Sequence, residues 1–263
     1  MTGEHLADFV LLNDPELRKR VEADVGFFVA EGPLAVRALL ASSYRVRSVL
    51  VTPAQHDALA DVLDGLDAPV HVVTPAVMRE TVGFDLHRGA LASADRAPLP
   101  DLETVLAGAS RVAVLERVND HENLGALFRN AAAFGFDAVL LCPQCSDPLY
   151  RRTVRVSIGH VLHVPWTRAT PWPGALDRLR TLGFRRLALT PQPPARPLDA
   201  VEAGTGDRIA VLIGAEGPGL SSEALSAADE RIRIPMAPGV DSLNLAVAAA
   251  LAFSRLAASG TLA

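Results

Sequence analysis

Ile209-Ala-Val-Leu-Ile213 runs directly into Gly214-Ala-Glu216-Gly-Pro-Gly219-Leu220, and the reading of that junction decides the fold class. Five consecutive apolar residues bounded by glycine read as a strand covered on both faces, as strands of a parallel sheet are. Gly214, Gly217 and Gly219 permit a positive φ or a close backbone approach, and Glu216 places a carboxylate among them. Ser221 or Ser222 is positioned to cap a helix that follows. Strand, glycine turn and helix in that order form the junction at which open α/β folds bind ligands. The pattern is neither Gly-x-Gly-x-x-Gly nor a phosphate loop ending in Lys-Ser/Thr, which disfavours a dinucleotide-dependent oxidoreductase. Alone, the segment reads equally well as a structural turn.

Two further segments flank it. Upstream lies Asn123-Leu-Gly-Ala-Leu-Phe-Arg129, in which Leu124, Leu127, Phe128 and Ala131 share one helical stripe. Asn123 falls near the helix start, where a short polar side chain caps free N–H groups, and Arg129 sits at the edge of the stripe. Downstream, Ile234-Pro-Met-Ala-Pro-Gly-Val-Asp-Ser242-Leu-Asn244 leads into an alanine-rich helix that lets other backbone approach closely. Each segment alone is a cap, a turn or a packing helix. Three in order, each at a strand-to-helix junction, are harder to attribute to chance.

The rest of the chain fits the same alternation. Strands are predicted over Phe27–Ala30, Val46–Val51 and Val70–Val73, with helices over Pro15–Asp24, Leu34–Leu40, Ala54–Leu63 and Pro75–Thr81. Ala97-Pro-Leu-Pro100 then reads as a linker. Beyond it come strands Val112–Leu115, Ala138–Leu141, Val161–Val164, Arg186–Leu189, Ile209–Ile213 and Arg231–Ile234, and helices Leu124–Phe134, Gly174–Leu182 and Leu243–Ala258. The fold class is therefore α/β, with a small domain over residues 1–97 and a parallel, doubly covered sheet over 98–263. Pro191–Pro197 reads as an ordered surface loop.

Composition narrows the class. The 263 residues are 49% hydrophobic with a net charge of −5, which describes a globular chain with an ample core. No apolar run approaches a bilayer span and the first residues lack a signal-peptide pattern, so a cytoplasmic location is expected. Residues 1–105 hold nine Lys or Arg against sixteen Asp or Glu, and residues 106–263 sixteen against fourteen; an anion-binding surface is expected in the second part. Candidate phosphate contacts are Arg18-Lys19-Arg20, Arg45 with Arg47, and Arg151-Arg152 with Arg155. Cys142-Pro-Gln-Cys145 superficially suggests redox work, but two thiols make no complete zinc site, and no metal is expected.

In order and spacing the three segments resemble the SpoU-type (TrmH-like) RNA 2′-O-ribose methyltransferases of the SPOUT superfamily. Arg155-x-Ser157-x-Gly159 also resembles a recurrent stretch of that family. Phe28-Val-Ala-Glu31-Gly32 resembles the start of its amino-terminal substrate-binding domain. Asn130, His121-Glu122 and Ala215 depart from the usual pattern without removing a principal functional group. The resemblance implies a carboxy-terminal trefoil knot, a homodimer, S-adenosylmethionine as cofactor and RNA as partner, rRNA before tRNA, with residues 1–97 binding the RNA. It places Gly214, Glu216, Gly217, Ile234, Met236, Ser242, Leu243 and Asn244 around the cofactor. It makes Arg129, Asn123, Glu216, Ser242 and Asn244 the catalytic environment. A methylation-inactive RNA-binding or ribosome-assembly factor on the same fold is the alternative.

Overall fold

The computed structural model describes residues 4–10, 12–14, 25–204 and 206–258. The helix expected over Pro15–Asp24, and with it Arg18, Lys19 and Arg20, lies outside the described residues. The chain divides into two compact units, Met1–Pro98 with Pro148–His163, and Leu99–Asp147 with Val164–Ala263. The division is thus discontinuous: residues 148–163 fall in the first unit, where an uninterrupted second domain was expected.

In the first unit β1 (Phe27–Glu31), β2 (Val46–Val51), β3 (Val70–Val72) and β4 (Ala90–Asp95) form one sheet in the order β1-β4-β2-β3. β4 is antiparallel to both β1 and β2, and β3 is parallel to β2. β4 is absent from the sequence reading because Ala-Leu-Ala-Ser-Ala-Asp has neither alternation nor β-branched residues; its position between two partners, with five residues buried, holds it extended. The helix expected over Ala54–Leu63 is interrupted at Leu59, giving Pro53–Ala58 and Ala60–Leu63.

Residues 148–163 form the short helix Arg151–Val156 and a 3-10 turn, His160–Leu162. The turn replaces the strand expected at Val161–Val164, because a short apolar run does not by itself distinguish strand from buried turn. Gly159 has φ +84°, and a Cβ there would stand 2.3 Å from that of Ala38. Arg151 and Arg155 donate to the buried Glu31 carboxylate at 2.6 and 2.7 Å. Arg45 and Arg47 pair with Asp95, and Arg47 also with Asp8. These four proposed phosphate contacts therefore already hold carboxylates.

In the second unit β5 (Arg111–Glu116), β6 (Ala138–Leu141), β7 (Trp166–Arg168), β8 (Arg185–Leu189), β9 (Arg196–Pro197), β10 (Ile209–Gly214) and β11 (Glu230–Arg233) form a wholly parallel sheet. Its order is β7-β6-β5-β10-β8-β11-β9. All six residues of β5 and of β10 are buried, the apolar stretches Val112–Leu115 and Ile209–Ile213 as strands covered on both faces, with the charged Arg111 and Glu116 buried at the two ends of β5. The proline-rich stretch is more than a surface loop: Arg196–Pro197 pairs with β11 at the sheet edge, where a missing N–H is tolerated. From β5 the chain winds outward through β6 and β7, and then crosses to β8 on the far side of β10. That reversal opens a crevice at the carboxyl ends of the central strands.

Candidate cofactor and catalytic cleft

A cleft of about 450 Å³ lies at the carboxyl ends of β8, β10 and β11. Its walls are the three loops that leave those strands. Ala215–Gly219 folds back on the end of β10, with Gly219 N–H donating to Ala215 O at 3.0 Å. The three glycines of this loop serve different needs. Gly217 and Gly219 have φ +83° and +69°, a region other residues enter only with strain. Gly214 is the close-approach glycine: a Cβ there would lie 2.2 Å from the Gly219 carbonyl carbon and 2.3 Å from Leu220 N.

Gly214, Glu216, Gly217, Ile234, Met236, Ser242, Leu243 and Asn244, the whole set expected around a cofactor, line this one cleft. Leu189, Thr190, Pro191 and Gln192 form a further wall and were missed. The signal was present, since they follow the predicted strand Arg186–Leu189 at the same edge of the sheet as the three segments.

Asn244 ties the segments together. Its Oδ1 accepts from Ala246 N and Val247 N at 3.0 and 3.2 Å, capping the helix Leu245–Leu256. Its Nδ2 donates to Asn123 Oδ1 at 3.0 Å and to Glu216 Oε1 at 3.2 Å. Glu216 Oε1 also accepts from Leu245 N at 3.3 Å. Asn123 therefore does not cap its own helix, His121–Ala133. Asp120 does, accepting from Asn123 N at 2.8 Å, which frees the buried Asn123 side chain to face Asn244. Similarly Ser221, rather than Ser222, caps Ser222–Ala227.

The helices His121–Ala133 and Leu245–Leu256 lie side by side. Asn130 Nδ2 donates to Ala246 O at 2.8 Å, and the Phe136 and Phe253 rings stand 4.0 Å apart. Ala249 and Ala252 are fully buried, which is the close approach the alanine pattern anticipated. Arg129 is exposed on the first of these helices and makes no hydrogen bond or ion pair with any described residue. It is six positions past Asn123, about 9 Å along the axis, and outside the cleft lining. Three of the five expected catalytic residues, Glu216, Ser242 and Asn244, thus line the cleft, Asn123 is joined to it through Asn244, and the arginine stands apart.

Residues 110–254 match the model of the SpoU rRNA methylase family, a span that contains all three segments. The chain belongs to the SpoU family. An uncharacterised tRNA/rRNA methyltransferase of Mycobacterium tuberculosis is 49% identical over 97% of this chain and 89% of its own length. Among solved structures, the SpoU methyltransferase AviRb of Streptomyces viridochromogenes, in complex with its cofactor AdoMet, superposes with a TM-score of 0.80. It is 20% identical, over 97% of this chain and 98% of that one. An RNA 2′-O ribose methyltransferase has a TM-score of 0.76 and is 26% identical, over 97% and 95%. The α/β fold with its parallel sheet is the fold of these SpoU structures.

Within the SpoU fold the two cysteines lie at the end of β6. Cys142 Sγ accepts from Arg117 N at 3.1 Å and lies 3.8 Å from Cys145 Sγ. Hydrogen bonding from Cys145 pulls the Cys142 thiol down to about 6, while the same contact and burial push Cys145 up. Both thiols are free and buried. No described helix is long and apolar enough to cross a membrane.

Proposed function

We propose that this SpoU family member transfers a methyl group from S-adenosylmethionine to a ribose 2′-hydroxyl of RNA, with ribosomal RNA the preferred reading of the target and transfer RNA the alternative. The observation that carries the reading is the Asn244 amide, shared between Asn123 and Glu216 at the rim of the glycine-walled cleft. Side chains from all three sequence segments meet there through direct hydrogen bonds. The cleft suits a nucleoside-sized ligand: apolar Leu189, Ile213, Ile234 and Met236 face Thr190, Gln192, Glu216 and Ser242. That donor set matches a ligand with a flat heterocycle, a ribose and a cationic centre.

Gly214, Glu216, Gly217, Ile234, Met236, Ser242, Leu243 and Asn244 would hold S-adenosylmethionine, which supplies an electrophilic methyl on a sulfonium. The chain's own contribution is orientation. Fixed alignment of two reactants contributes about 7–11 kcal/mol in favourable cases. Asn244, itself held by Asn123, fixes Glu216 together with the Leu245 N–H, and Ser242 adds a hydroxyl to the same cleft. Arg129 is the residue assigned to the RNA. A guanidinium keeps its proton in proteins, so its role is to hold the 2′-hydroxyl and adjoining phosphate and to stabilise the developing alkoxide, while the proton leaves to phosphate or water. The exposed side chain, uncommitted to any described partner, suits that assignment.

The reading extends to a homodimer, to a trefoil knot in the second unit and to an RNA-binding role for the first unit, in the cytoplasm. Mapping 2′-O-methyl sites across total RNA with and without the gene tests it. One or more sites should vanish on deletion and return with the wild-type gene but not with R129A. Unchanged maps count against the enzyme and favour a methylation-inactive RNA-binding factor.

A further inference from the structure

A second cleft, of about 300 Å³, opens at the carboxyl end of β5. Glu116 forms its floor, and Arg117, Gln144, Trp172, Pro173 and Glu223 stand around it. None of these residues belongs to the first cleft, and three features mark the place as built for a ligand.

Arg117, the first residue after β5, has φ +55°, a backbone region in which glycine is at ease and arginine is not. Backbone held this way clusters at functional sites. Its Nε is buried without a hydrogen-bond partner among the described residues. The nearest acid, Glu116, stands 3.9 Å from Nη2, and the Arg117 side chain is 41% exposed. The guanidinium is thus held at the cleft with most of its donors unspent.

Trp172 is locked in the opposite sense. Its Nε1–H donates to Glu116 Oε1 at 3.0 Å, and the other oxygen of that buried carboxylate accepts from Ser221 N at 2.8 Å. The half-buried indole therefore has one fixed orientation, and a preset aromatic face binds without the cost of ordering it. Glu223 adds an exposed carboxylate, as acceptor, to the rim.

We propose that this cleft holds one unpaired nucleobase of the RNA beside the methylation target, with guanine preferred; the identity of the source as RNA rests on the methyltransferase reading above. Unstacked bases are held on aromatic faces in single-stranded RNA recognition. Guanine alone pairs a two-acceptor edge, O6 with N7, which suits an arginine fork, with a two-donor edge, N1–H with N2–H, which suits a carboxylate. Arg117 and Glu223 supply those complements. Adenine, cytosine and uracil each satisfy only part of the set.

The chain reports on this site itself. It has two tryptophans, and Trp166 is buried, so quenching by a stacked base reads Trp172. The pentanucleotides UUGUU, UUAUU and UUUUU, and free GMP, are titrated into the full-length protein while indole emission is followed. UUGUU is expected to quench saturably with a half-point about tenfold or more below the other two oligonucleotides. R117G should weaken UUGUU about tenfold while the melting temperature holds or rises, since glycine takes φ +55° freely; a purely structural arginine would move the melting temperature instead. E223Q should lower the guanine preference without abolishing it, since the Arg117 fork remains. Equal half-points for the three oligonucleotides, or an R117G protein that binds UUGUU as the wild type does, overturns the subsite. GMP binding as tightly as UUGUU overturns its assignment to RNA. S-adenosylmethionine titrated into the same unmodified protein reads the first cleft separately: heat on that titration with no quenching by any RNA removes this proposal and leaves the methyltransferase reading standing.

Discussion

Asn244 serves two structures with one side chain, and its two atoms are separable by mutation. Oδ1 caps a helix and Nδ2 bridges Asn123 to Glu216. N244D keeps the capping oxygen, replaces the bridging donor with a second carboxylate oxygen, and sets a negative charge beside Glu216. It should unfold within about 1 kcal/mol of wild type in urea, yet bind S-adenosylmethionine more weakly and lose methyl transfer. N244A should in addition lose about 1 kcal/mol of stability with the cap. Equal activity of N244D and wild type would sink the assignment of the bridge to catalysis. The neighbouring Gly214 gives a purely steric counterpart. A methyl at 2.2 Å from backbone must move the loop, so G214A is expected to cost about 3 kcal/mol in denaturant unfolding and to close the cleft. Both residues stood out in the sequence. What was not legible is which of a glycine's two uses applied to Gly214, and that Asp120 rather than Asn123 caps the helix, because each depends on a neighbour distant in the chain.

At the scale of elements, the cleft exists because β11 is held in register with β8 and so aims residues 234–244 at β10. Arg186 on β8 is buried and grips Asp229, just ahead of β11, through Nε at 3.0 Å and Nη2 at 2.7 Å; its backbone N–H donates to the same carboxylate at 2.7 Å. The Arg186 contacts hold the Asp229 carboxyl below the usual aspartate range. A carboxyl depressed in the folded state stabilises the fold at every pH above its unfolded value of about 3.9. That stabilisation fades as pH falls below 3.9 and through the lower folded value. D229N should therefore cost about 2 kcal/mol at pH 7, the value for an unpaired buried partner discounted because Asp229 is partly exposed. The deficit should shrink between pH 4 and pH 2; a deficit constant over that window refutes the linkage. Parallel strands were the readable elements here, since continuous burial writes an apolar run into β5, β6 and β10. β4 was invisible for the opposite reason, its alanines and serine being chosen for small size between two partner strands. The strand expected over Val161–Val164 is instead a 3-10 turn, His160–Leu162, because a short apolar run buried in a turn carries the same letters.

At the scale of the whole molecule, segment order carried more information than any single motif. The three junctions could be read as neighbours before any distance was known, because a parallel sheet gathers its strand ends on one edge. The placement of residues 148–163 in the first unit could not, since no composition change marks either end of that segment. Leu243, Val247 and Leu251 are 39%, 50% and 46% exposed along the helix Leu245–Leu256 and its entry, with Val247 and Leu251 one turn apart on a single face. A contiguous apolar face on a well-packed helix marks an interaction surface, and a second copy of the chain is the occupant that the homodimer reading requires. The double variant V247E/L251E sets two carboxylates on that face without touching the buried Ala249, Ala252 or Phe253. Wild type is expected to elute in light-scattering chromatography at twice its 27.8 kDa chain mass, and the double variant at the single-chain mass with an unchanged circular dichroism spectrum. The helix bearing Arg129 is tied to this one through Asn130 and Ala246, so the monomeric variant should also lose methyl transfer by about a hundredfold, the loss expected when reacting groups are misplaced by about 1 Å. A wild-type protein that is monomeric at micromolar concentration and fully active removes the dimer from the mechanism.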